Sequence, residues 1–74
     1  MKKEIINLIS EVLEINEEKI SENTNLVTDL DVESLDLVDL IAAFEKKYNF
    51  EIPDKDIKNL QTVGDIINYI EKNV

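Results

Sequence analysis

The sequence predicts an all-α fold: a four-helix bundle of three main helices and one short helix, with a long first loop. Three observations predict it. Gly64 and Pro53 are the only glycine and proline in 74 residues, too few for the turns of a hairpin-rich β protein. Apolar residues recur at three- and four-residue steps instead of alternating. There is no cysteine to staple so small a chain, so a helical bundle or a partner must stabilise it. The apolar content of 43% suffices for a core and exceeds that of a disordered tail. The length fits a single domain over residues 1–74.

The elements follow in order. In EIINLISEVL, the spacing of Ile5, Leu8, Ile9, Val12 and Leu13 predicts a first helix over about residues 3 to 14. The opening MKKEIINLIS begins like a signal peptide, but Glu4, Asn7 and Glu11 interrupt any apolar run. The reading is therefore no leader and a cytoplasmic protein. No apolar run approaches the roughly 20 residues that span a bilayer. EINEEKISENTNLVTD is a long connection in which Ile15, Ile20 and Leu26 are the anchors. Loops of that length are uncommon and often functional.

ESLDLVDLIAAFEKKYNF predicts the strongest helix, from about 34 to 48, ended by the extended backbone that Pro53 imposes on Ile52. DKDIKNL reads as the short helix, starting at Pro53 or Asp54. TVGDIINYIEKN is the last helix, with Thr62 as N-cap and Asp65 as its capping-box partner. Ile66, Ile67, Tyr69 and Ile70 form its apolar face.

The helix over 34 to 48 carries more apolar surface than one core face needs. Leu37, Leu40, Ile41, Phe44 and Tyr48 form one stripe. Leu35, Val38 and Ala42 form a second, bordered by Asp36, Asp39 and Glu45. Such a strip suits a partner offering an apolar groove rimmed by Lys and Arg. It also fits the flank of one wide core face.

The net charge of −9 is concentrated. Between Lys19 and Lys46 lie seven acidic residues and no base; the remaining ten acids face eight lysines. This field opposes binding to nucleic acid and stable association with anionic membranes, and it steers basic partners.

DLDVESLDLVDL, residues 29 to 40, holds one hydroxyl, Ser34, among five acids. The chain has no His, Cys or Arg, and no lysine lies between 20 and 45 to activate that hydroxyl. This argues for a protein that is not an enzyme. An EF-hand reading of Asp29, Asp31 and Glu33 fails, because Ser34 stands where the loop needs Gly and Leu40 where it needs Glu. No dedicated metal site is expected. Two readings of Ser34 remain. It is an ordinary helix N-cap, or it is an attachment point for a phosphate ester, which a helix N-terminus favours and nearby carboxylates oppose.

Asp29-Leu30, Ser34-Leu35-Asp36, Ile52-Pro53-Asp54 and Thr62-Val63 stand at the spacing found in the acyl carrier proteins of type II fatty acid synthesis, which the chain resembles over essentially its whole length. The resemblance implies a phosphopantetheine-binding carrier with 4'-phosphopantetheine on Ser34, donated from coenzyme A by a phosphopantetheinyl transferase. It implies a monomer that carries acyl thioesters between fatty acid synthesis enzymes with basic docking patches. Glu33, Leu35, Asp36, Val38, Asp39, Ala42 and Glu45 would form the docking face. Leu37, Leu40, Phe44, Ile52, Leu60 and Tyr69 would line an acyl pocket. The chain departs from the family pattern at Glu33, usually Asp; at Asp31, usually Gly; and at Lys46 and Lys47, often acidic. These differences leave a carrier dedicated to a polyketide, peptidyl or other pathway as the alternative. An unmodified acidic adaptor is the reading outside the carrier class.

Overall fold

In a computed structural model that describes residues 1–74, four α-helices occur and no strand. Helix α1 spans Lys2–Leu13, α2 Ser34–Tyr48, α3 Asp54–Ile57 and α4 Val63–Asn73. The predicted bundle of three main helices and one short helix is what forms. The limits of α2 agree with the periodicity. α1 ends one residue earlier than expected because Glu14 turns into the left-handed region, φ 54°, and its N–H bonds the Ser10 carbonyl.

The core is aliphatic. Ile5 and Ile9 come from α1, Leu40, Ile41 and Phe44 from α2, and Val63, Ile66, Ile67 and Ile70 from α4, all buried. Each set follows the three- and four-residue step that places side chains on one helical face. α1 packs against both α2 and α4.

The connection between α1 and α2 is held down along its length. Asn16 caps a single 3₁₀ turn over Glu17–Lys19, accepting the Glu18 N–H at 3.0 Å. Ile20 and Leu26 are buried, and Ile15 is half-buried against the core. The middle of the loop pairs with the start of α4: Leu26 N–H donates to the Gln61 carbonyl at 2.9 Å, and Val63 N–H to the Thr24 carbonyl at 3.0 Å. Gly64 N–H reaches the Glu22 carbonyl at 2.8 Å, and a Cβ at position 64 would lie 3.0 Å from that oxygen. The chain's one glycine therefore sits where a side chain would crowd the Glu22 carbonyl and press the two backbones apart.

Thr62 caps α4 as predicted. Its hydroxyl accepts the Asp65 N–H at 3.1 Å, and the Asp65 carboxylate accepts the Thr62 N–H at 3.1 Å. α3 is a different kind of helix. It is one turn long and none of its residues is fully buried.

Candidate functional site

The site forms where the long connection enters α2. Asn25 Oδ1 accepts the N–H groups of Val27 and Thr28, at 2.9 and 3.0 Å, and Asp29 Oδ2 accepts the Asn25 N–H at 2.8 Å. Asp31 follows in the left-handed region, φ 53°. The position at which the family pattern carries glycine is thus a true left-handed turn, held here by a residue that tolerates it better than most. Val32 N–H then closes back on the Leu26 carbonyl at 2.9 Å.

Glu33, and not Ser34, is the N-cap of α2. The Asp36 carboxylate reaches back to the Glu33 N–H at 3.4 Å. This shifts Ser34 to the first helical position, so it does not cap the helix as one of the two sequence readings had it. Its side chain is exposed and its hydroxyl makes no hydrogen bond within the protein. The hydroxyl stands at the positive end of a 15-residue helix, free to be approached.

The second stripe of α2 faces solvent. Leu35 is 78% exposed and Val38 63%, and Ala42, Asp36 and Asp39 are exposed as well. These values exclude the reading in which the stripe is the flank of a wide core face. Glu45 differs from its neighbours. It is half-buried, and its Oε2 accepts the Ile52 N–H at 2.8 Å. Expected as a free surface charge, it is in fact part of the link between α2 and the segment leading to α3.

The six residues expected around an acyl pocket all belong to one core or pack against it, but they do not line one cavity. Leu37 and Leu60 line a small cavity of about 100 Å³ that opens beside Ser34, with Leu26, Val27 and Val32. The same two residues and Val27 line an adjoining groove of about 510 Å³ that runs under Ile57 and Lys58. Ile52 lines a separate slot of about 220 Å³ between α2 and α3. Leu40 and Phe44 are fully buried in the core and border none of these spaces. Val27, Val32 and Ile57 were missed, because no periodicity marks residues in loops and a single helical turn.

Tyr69 shares an open groove with Leu60 and does not line the cavity at Ser34. Its ring is tilted against Phe50 at 6.4 Å, and its hydroxyl donates to Asp56 Oδ2 at 2.7 Å, tying α4 to α3. That bond, with burial adding to it, pushes the Tyr69 pKa up to about 12. Tyr48 is the opposite case. Its hydroxyl is buried without a hydrogen-bond partner, and burial, helped by the charge of Glu4, raises its pKa.

The two tyrosines therefore respond oppositely to loss of the hydroxyl. Tyr48→Phe is expected to raise stability by about 1 kcal/mol, since an unpaired buried group is removed. Tyr69→Phe is expected to lower it by about 1 kcal/mol, since a hydrogen bond to a carboxylate is lost. Urea midpoints of both variants test this. The native state keeps the Tyr69 proton after the unfolded chain releases it near pH 10. The associated stability is full below that pH and disappears as pH rises through about 12. In Tyr69→Phe the fall of the midpoint across this alkaline window is expected to be shallower than in the parent chain.

Comparison with known proteins gives a consistent result. Residues 3–70 match the family model for the phosphopantetheine attachment site. An acyl carrier protein from Wolinella succinogenes is 43% identical over 70 residues, covering 95% of this chain and 92% of its own. One from Thermotoga maritima is 43% identical over 68 residues, covering 92% of this chain and 84% of its own. A solved structure from Mycobacterium tuberculosis, provisionally assigned as an acyl carrier protein, superposes with a TM-score of 0.90 at 30% identity, covering 99% of this chain and 97% of that one.

Proposed function

The chain belongs to the acyl carrier protein family, whose members carry a covalent 4'-phosphopantetheine, and from that premise we propose that Ser34 is the attachment residue and that the loaded protein shuttles acyl thioesters between the enzymes of fatty acid synthesis. The observation that carries this reading is the Ser34 hydroxyl: exposed, unbonded, at the start of α2 and beside an apolar cavity.

These surroundings fit the group. The first-turn N–H groups of α2 and the helix dipole favour a phosphate ester on Ser34 Oγ. Val27, Leu37 and Leu60 extend an apolar path away from it. When bound, the group supplies a terminal thiol that holds acyl chains as thioesters. The chain itself has no base near Ser34, so the transferase that modifies it provides the proton acceptor. The protein's own part is then to present, orient and shelter, without catalysis. In support, no helix is long and apolar enough to cross a membrane, which fits a carrier working in the cytoplasm.

Leu35, Val38 and Ala42, rimmed by Asp36 and Asp39, are the surface on which transferase and synthase would dock. Asp39→Lys is expected to weaken transferase association by about tenfold at low salt, with the difference shrinking as salt rises. It is expected to leave the melting temperature nearly unchanged, because the side chain is exposed and unpaired. Surface plasmon resonance over a salt series checks both the affinity and its screening.

The test of the assignment is intact mass after incubation with coenzyme A, magnesium and a panel of phosphopantetheinyl transferases. A gain of one phosphopantetheine is expected; no gain with any transferase overturns the carrier reading. A second reading within the class is a carrier dedicated to another pathway. It is favoured by Glu33 before the serine and by Lys46 and Lys47, which make the end of α2 less negative than in many relatives. The acyl group found on the protein in cells separates the two.

A further inference from the structure

α3 is lightly held. It is a single turn, Asp54–Ile57, with no fully buried residue. Ile57 packs half-buried against the core. Beyond that contact and the buried side chains of Ile52 and Leu60 on either side of it, two side-chain hydrogen bonds hold the region. One is Tyr69 to Asp56 within α3 itself. The other is Glu45 Oε2 to the Ile52 N–H at 2.8 Å, just before Pro53, whose carbonyl starts α3 by accepting the N–H groups of Asp56 and Ile57. Glu45 stands at the rim of the slot between α2 and α3, with Val38 and Ile41 on the α2 side and Ile52 and Ile57 on the other. The same carboxylate therefore has two claims on it. One is the backbone that leads into α3. The other is any cation that approaches the exposed acidic strip of α2.

We propose that Glu45 is a positioning residue that couples partner docking to the placement of α3. With no partner bound, its carboxylate holds the Ile52 N–H and keeps α3 against α2. A Lys or Arg of a docked enzyme that pairs with Glu45 draws its carboxylate off the Ile52 N–H, and the lead-in to α3 loosens. The two states differ in one hydrogen bond and one ion pair, which gives the partner the differential affinity that a population shift requires. By reciprocity, a chain whose tether is already broken pays less to adopt the loosened state. This inference rests on the docking role proposed for α2.

Amide hydrogen exchange by NMR tests it on the full-length protein. In Glu45→Ala, exchange at Ile52 is expected to rise by about tenfold or more. Asp56 and Ile57 should follow, while the amides of α1 and α4 stay as they were. Glu45→Gln keeps an oxygen acceptor without the charge and should retain most of the protection. In the parent chain, saturation with a phosphopantetheinyl transferase should deprotect Ile52, Asp56 and Ile57 together. If Ile52 is deprotected in Glu45→Ala while Asp56 and Ile57 are unchanged, the coupling to α3 is wrong. If the transferase binds and Ile52 stays protected, release by docking is wrong although the docking reading stands. If the transferase does not bind the parent chain at all, the docking reading falls and takes the release step with it; the alanine variant still decides whether Glu45 holds α3.

Discussion

Ser34→Ala is expected to take up no phosphopantetheine from any transferase that loads the parent chain, and to fold as the parent does. The first part follows because no other hydroxyl combines exposure with the start of a long helix and an adjoining apolar cavity. Thr62 caps α4 through its own hydroxyl, Thr24 is buried, and Ser10 donates to the Ile15 carbonyl. The second part follows from the position of Ser34. It is the first residue within α2 and not its cap, and its hydroxyl is bonded to nothing in the protein. Alanine there keeps the helix and loses no hydrogen bond, so stability should change by less than about 0.5 kcal/mol. Mass spectrometry reads the loading and circular dichroism reads the helix, and the two must separate. A gain of one phosphopantetheine in Ser34→Ala would move the attachment site elsewhere. A failure to fold would mean that Ser34 carries structural weight which its surroundings do not show.

How far such residues could be read from sequence differed by element. The period of apolar residues located α2 to the residue, because both its stripes lie within one helix and obey one rule. Thr62 and Asp65 were legible for the same reason: a cap is a local device, three residues long. The exposure of Leu35 and Val38 was not settled by period, since a second apolar stripe can be core flank or open surface. Only the placement of the neighbouring helices decides between them. Glu45 looked like one more acid on an acidic strip, yet its partner is a backbone N–H seven residues away and beyond the helix end. Nothing local marks such a bond. The same holds for Gly64, whose close approach is to the Glu22 carbonyl, 42 positions earlier in the chain. Of the two readings of Ser34, the cap is ruled out by a side chain in the first turn of α2: the Asp36 carboxylate closes the helix start on Glu33.

The pocket residues divide along the same line, and one substitution shows the difference most strongly. Phe44→Ala is expected to cost about 3–5 kcal/mol, which is most of the stability that a domain of this size usually has. Phe44 is the largest fully buried side chain and has no exposed surface. It sits in the same core as Ile5 and Ile9 of α1 and the isoleucines of α4. Removing its ring leaves a void that aliphatic neighbours on three helices can fill only by moving apart from their own contacts. Leu37→Ala provides the contrast. Leu37 is half-buried and lines the open spaces that begin beside Ser34, so truncation widens an existing groove rather than opening a closed void. Its cost is expected to stay near 1 kcal/mol, about what the loss of partly buried apolar area supplies. Urea denaturation of the two variants measures the gap directly. Equal costs would mean that Phe44 has room to be replaced by its surroundings, and would return it to the set of residues able to meet an acyl chain. The expected gap of at least about 2 kcal/mol places Phe44 among the residues that hold the bundle and Leu37 among those that border open space beside Ser34.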